Sequence, residues 1–282
     1  MLVVAYALAA AACIALASAL QHQAATGESG YRTGAHLLAR LARNPRWTIG
    51  LLISALGLAL HGLALHSGAL ALVQPLLVTS LVFALPLRAL LDRRSPSFRE
   101  GAAAAIVVAA LTGFLLAAEP TSGRPSADGR ASAVVLAVGA GIVIGCSATA
   151  SRTSRGRIAG FALGLATGIL YGLVGGSLKA AVHLATTGWQ ALLTGWPLWA
   201  LIVSGVWALI VNQRAYTRAP LRVSLPVLTV TNPIVAVLFG AYVFAEKPSD
   251  APANVVVQLV CLTLLAVGVT VLAALSPTPA RR

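Results

Sequence analysis

Acidic residues are scarce in this chain: seven Asp and Glu among 282 residues, against twenty Lys and Arg. Charged types of either sign make up only 10%. A soluble globular domain carries about 25%, so that class is excluded. Disorder is excluded as well, because 58% of the residues are apolar and a disordered chain needs low hydrophobicity. Cysteine is nearly absent. Cys13, Cys146 and Cys261 lie far apart in apolar stretches, which excludes a disulfide framework or a zinc cage and leaves small packing residues. The sequence shows no Walker-type phosphate loop, hydrolase triad or His/Cys cluster. An enzyme is therefore not expected, nor is a cofactor, and transport would be secondary or passive.

What is present is apolar length. The mean hydropathy is +0.87 and the pI about 11.2. A net charge of +13 would by itself suggest nucleic acid. Here the cations punctuate long apolar runs instead, so nucleic acid is not an expected partner and the lipid bilayer is. A bilayer core takes about 20 apolar residues per helix. The charge-free runs predict nine spans, at 2–20, 47–66, 68–91, 101–118, 131–150, 158–180, 197–213, 220–245 and 254–275. The run from Trp47 to Leu87 is free of charge over 41 residues and reads as a helical hairpin. The expected fold class is an all-α polytopic membrane protein of about nine transmembrane helices. A cleaved signal peptide is the alternative for 2–20, but the segment lacks a charged n-region and is long for an h-region.

The cations orient the chain. Tracing nine helices puts Arg32, Arg40, Arg43, Arg46, Arg88, Arg93, Arg94, Arg99, Arg152, Arg155, Arg157, Arg214, Arg218, Arg222, Arg281 and Arg282 on one side. Arg124, Arg130, Lys179 and Lys247 fall on the other. Sixteen of twenty share a side, and positive loops stay cytoplasmic. This predicts the N-terminus outside, the C-terminus inside and a location in the plasma (inner) membrane. Trp189, Trp196 and Trp199 fall at outer span ends, where indole rings favour the headgroup zone.

The two halves echo each other. A shift of 151 lays 61–77 on 212–228, matching Ala64 with Ala215, Leu70 with Leu221, Pro75 with Pro226 and Leu77 with Leu228. Each copy enters a proline-containing span that ends in an acid–base pair, Asp92-Arg93 or Glu246-Lys247, and one more span follows. The spans at 68–91 and 220–245 run in opposite directions, so pseudo-repeats 1–118 and 131–275 are expected to be inverted. Inverted repeats are a recurring plan of secondary transporters, and interrupted helices at matching positions point to the substrate site. Pro75, Pro226 and Pro233 are the expected helix breaks.

The stretches APLRVSLPVLTVTNPIVAVLFGAYVFAEK at 219–247 and GALALVQPLLVTSLVFALPLRALLDRR at 68–94 resemble the drug/metabolite transporter superfamily, the EamA-type fold. CIALASALQHQAA at 13–25, a long basic loop and nine rather than ten helices make the NIPA-type magnesium-transporter-like branch the most similar. The resemblance implies a carrier working by alternating access. It implies little about substrate, and no substrate residue is carried over from it.

Polar groups inside spans are the site candidates. All seven acids fall in loops or at helix ends, which weakens a carboxylate proton relay and an all-protein Mg²⁺ cage, although hydrated Mg²⁺ needs only one or two carboxylates. The metal question stays open. The neutral candidates for a cavity are His61, Gln74, Thr79, Ser80, Asn212, Thr229, Thr231 and Asn232. Asn232 precedes Pro233, and a proline frees the carbonyl four residues earlier, here that of Thr229. The simpler account of these side chains is that they re-satisfy the backbone around the prolines. His66 is expected at the outer interface, and Lys179 is expected to snorkel to the outer headgroups. Gly160, Gly164, Gly168, Gly172 and Gly176 form a bare stripe, with Gly141 and Gly145 as the expected facing surface and Tyr171 beside it able to close a cavity. Such stripes let helices approach closely. Static packing within the chain is the default use, and a homodimer contact the alternative. The sequence thus predicts a secondary transporter of a small polar solute or ion. A Mg²⁺ or other divalent-cation carrier is one alternative, and a non-transporting scaffold associating through the glycine helix another.

Overall fold

The computed structural model describes residues 2–27, 43–91, 97–118, 123–218, 221–247 and 251–275. Arg32, Arg40, Arg93, Arg94, Arg281 and Arg282, with the acids Glu28, Asp92, Glu119 and Asp250, lie outside the described residues. The rest is helical, with no strand among the described residues. The helices are α1 (Leu2–Gly27), α2 (Pro45–Ser67), α3 (Leu70–Leu77), α4 (Ser80–Leu91), α5 (Phe98–Ala118) and α6 (Gly129–Arg152). They continue with α7 (Gly156–Thr187), α8 (Trp189–Thr194), α9 (Trp196–Arg218), α10 (Leu221–Phe244) and α11 (Pro252–Leu275). Eight of them, all but α3, α4 and α8, are long and apolar enough to cross a membrane. They present Leu52, Val138, Leu209 and Leu259 outward, a surface that suits lipid rather than water. The chain is an all-α, multi-pass membrane protein.

Local chemistry sets the helix starts. Asn44 caps α2 by accepting the Arg46 N–H at 3.0 Å, and Pro45 occupies the first turn, where its missing donor costs nothing. Ser97 and Glu100 form a reciprocal capping box on α5. Asp128 accepts the Ala131 N–H at 2.9 Å at the head of α6. That bond chiefly holds its carboxyl below the usual range, with smaller help from Arg130 and Arg124 against a modest desolvation.

The expected span at 68–91 is two helices. Pro75 cannot donate, and the chain tightens one turn later. Val78 N–H reaches Pro75 O at 3.0 Å, and Leu76 O takes both the Thr79 N–H and the Thr79 hydroxyl. The breaks expected at Pro226 and Pro233 do not occur, since α10 runs through both. The reason is packing. Four glycines of α7 seat against successive turns of α10, on both sides of Pro233, and hold its axis.

At 1.5 Å per residue the 32 residues of α7 extend about 48 Å, more than the roughly 30 Å hydrocarbon core. It is the central helix, buried along most of its length between Ala159 and Ala181. Its neighbours are α9 and α10, with α6 on a further side, and α1 packs in the same way on α2 and on α3–α4. Helices α5 and α11 pair with each other, while α10 reaches both α11 and α3. The glycine stripe faces α10, not α6. A Cβ at Gly164 would lie 2.6 Å from Ser224 O, at Gly168 2.6 Å from Thr231 and at Gly172 2.6 Å from Val235. One at Gly176 would meet the Phe239 ring. Gly160 is also buried on α7. Gly141 and Gly145 are exposed and have nothing within 4 Å of their Cβ positions, which corrects the expected partner.

Candidate functional site

The polar candidates converge on one turn of α7. Gln74, 2% exposed, enters from α3 and lays its amide over Gly175, where a Cβ would collide with it. Its Nε2 approaches His61 Nε2 of α2 at 3.5 Å. From α9, Asn212 Nδ2 lies 3.5 Å from the Tyr171 hydroxyl. From α10, the backbone carbonyl of Asn232 packs on Gly172. The Asn232 side-chain oxygen is buried with no donor among the described residues, an arrangement that is costly unless something supplies one. Tyr171, Gly172 and Gly175 sit at the middle of a helix running from Gly156 to Thr187. Bare Gly175 and Gly172 are what let the Gln74 amide and the Asn232 backbone carbonyl approach this turn.

The other candidates play local parts. The Thr79 hydroxyl is used on Leu76 O at 2.6 Å, and Ser80 begins α4. Thr231 seats its β-carbon on Gly168, and Thr229 is buried on α10. Pro75 and Pro233 are buried and Pro226 is half-buried. Among the described residues no group of three or more His, Cys, Asp and Glu side chains comes together to hold a metal.

One turn C-terminal to Gly175 the structure overturns the expected position of Lys179. Its ammonium does not snorkel to the headgroups. It forms an ion pair with Glu246 and donates to Gly68 O at 2.8 Å, and it lies 5.0 Å from the centre of the Phe244 ring. The other Glu246 oxygen accepts the Leu70 N–H at 2.9 Å. Ala69 gives α3 no side-chain cap, so Glu246 caps it from 176 residues away, where a helix N-terminus favours an anion. Ala245, in the left-handed region at φ 54°, turns the chain so that Glu246 N–H meets Gly240 O at 3.0 Å. Gly240 leaves the carboxylate its space, since a Cβ there would collide with it. One carboxylate therefore ties α3, α7 and α10 together just outside the polar turn.

Beyond this tie lies a cavity of about 150 Å³. His66, Ser67 and Gly68 at the end of α2 line it, with Arg124 before α6 and Lys179 and His183 on α7. His66 is exposed there. The importance of Lys179 and Glu246 together, and of Arg124 and His183, is not visible in the sequence. The one available signal is that Lys179 falls within the expected span at 158–180.

No family model matches the chain, and no solved structure matches it. It is 31% identical to the uncharacterized protein Cgl0250/cg0304 of Corynebacterium glutamicum, over 99% of this chain and 97% of that protein. The chain belongs to the same family as that corynebacterial protein.

Proposed function

We propose that the protein is a secondary carrier of a small polar solute or ion, working by alternating access in the plasma membrane. The observation that carries this reading is the polar turn at the middle of α7. Polar groups from α2, α3, α9 and α10 come together around it, at the depth where transporters hold their substrates. The Lys179–Glu246 tie lies on its outer side, as a closed outer gate would. The packing of α1 on α2 and α3–α4 parallels that of α7 on α9 and α10, which supports two repeated halves. The broken helix α3–α4 provides the irregular backbone that such sites use. The resemblance to drug/metabolite transporters, and within them to the NIPA-type branch, fits this plan.

A divalent cation remains a second cargo to test, because the buried Asn232 oxygen is a suitable hard ligand. Use of the glycine stripe as a scaffold contact is disfavoured, because α10 fills it. The test is uptake into proteoliposomes across a panel of metals, amino acids, organic acids and neutral metabolites. At least one solute should accumulate saturably, and Asn232→Ala and Gln74→Ala should each slow it about tenfold, the worth of one hydrogen bond to a charged or buried group. Flux that both variants leave unchanged would place the site elsewhere.

A further inference from the structure

The outer cavity is built, not incidental. Its loop is fixed to the end of α10: Arg124 N–H donates to Phe244 O at 2.5 Å and Asp128 N–H to Val243 O at 3.1 Å. Gly123 lies flush on the Phe244–Glu246 backbone, with no room for a Cβ. The wall is strongly basic. Arg124 and Lys179 carry charge, and His66 and His183 add imidazole rings to the wall. Among the described residues two carboxylates are near. Glu246 is 2% exposed and committed to Lys179 and Leu70, and Asp128 is turned to its own helix, where it caps Ala131. An ammonium has three donors. Lys179 spends two, on Gly68 O and Glu246, lies over the Phe244 ring and lines the cavity. At about 150 Å³ the space is below the roughly 300 Å³ of drug-sized sites and ample for one compact group.

We infer that this cavity binds a small oxyanion, a carboxylate or phosphate group, which Arg124 and Lys179 attract and to which the imidazoles of His66 and His183 can donate. Bound there, the anion competes with Glu246 for Lys179 and so loosens the tie that closes the outer side. The transported solute would then be one bearing such a group; only this last step rests on the carrier reading. The oxyanion has two sources, a dissolved solute or the headgroup of an anionic lipid.

The full chain in phosphatidylcholine nanodiscs provides the test, by thermal unfolding with inorganic phosphate or succinate against chloride at equal ionic strength. Phosphate or succinate should raise Tm saturably. Arg124→Gln combined with His183→Gln should weaken the apparent affinity about tenfold or more. Arg152→Gln, at the opposite end of α6, should leave it unchanged. If instead phosphatidylglycerol in the disc gives the shift, and the same double variant removes it, the oxyanion is a headgroup. An absence of anion-specific shift in both lipids, or a shift that the double variant leaves intact, overturns the site. Saturable anion binding without uptake of any panel solute would keep the site and sink the carrier. Uptake confined to neutral or cationic solutes, with no anion-specific shift, would do the reverse.

Discussion

Glu246 binds three helices through one side chain, and its energetics follow from its burial. A buried ion pair costs much to desolvate, and its attraction offsets that cost only when the remaining hydrogen bonds are made. Here they are, through Gly68 O and Leu70 N–H. Removing one partner leaves a buried charge alone, at about 3–5 kcal/mol. Glu246→Gln should therefore lower stability by roughly that amount, and Lys179→Met likewise. The double variant Lys179→Met with Glu246→Leu should recover most of the loss, because neither charge is left unpaired. Unfolding of all variants in detergent checks this, and strictly additive losses would refute the coupling. Ala245 holds a left-handed conformation without being glycine, so Ala245→Gly should stabilise by about 1 kcal/mol, read in the same assay. The sequence displays each partner separately, Lys179 inside an apolar run and Glu246 beside Lys247. Nothing in local pattern connects positions 67 residues apart, so the pair becomes visible only in three dimensions.

At the level of elements, the α7–α10 contact depends on missing side chains. In lipid, helices associate by close packing and hydrogen bonds rather than by the hydrophobic effect. Gly164 meets backbone atoms of Ser224, which cannot rotate away, so Gly164→Val should separate the two helices and reduce both folded yield and thermal stability. Gly141→Ala is the control. It has no neighbour to strike, and Ala is favoured over Gly in a helix by about 1 kcal/mol, so stability should hold or rise. The stripe is legible in sequence because it is a strict four-residue period. Its partner is not, because exposed Gly141 and Gly145 have the same local signature as glycines that pack. Proline behaves similarly. The same chemistry breaks the chain after Pro75, where Thr79 closes the turn, and fails to break it at Pro233, where α7 supports the helix. Of the candidate residues, His61, Gln74, Asn212 and Asn232 do gather at one level, since polar groups in an apolar span have few other places to go. Thr79 is spent on its own backbone.

For the whole molecule, hydropathy was the most readable feature because the bilayer imposes it uniformly. Eight expected spans correspond to long helices within a few residues at most ends, and the ninth is the split pair α3–α4. The larger overruns are α1, which continues to Gly27, α9, which continues to Arg218, and α7, which continues to Thr187 and so carries Lys179 inside. Which helix touches which was unreadable, since one apolar face resembles another. The orientation is tested by single cysteines in a background where Cys13, Cys146 and Cys261 are replaced by Ala. Arg124→Cys should react with an impermeant thiol reagent from outside, and Arg155→Cys only from the cytoplasmic side. The reverse pattern would invert the topology.

The central claim is that transport requires the outer end of α7 to part from α10. Lys179→Cys with Glu246→Cys, in the same background, allows a reducible bifunctional thiol reagent to bridge the gate in proteoliposomes already shown to take up a panel solute. Before bridging, the double variant should still carry that solute. Bridging should stop the flux and reduction should restore it. Flux that continues unchanged through a bridged gate would contradict the account.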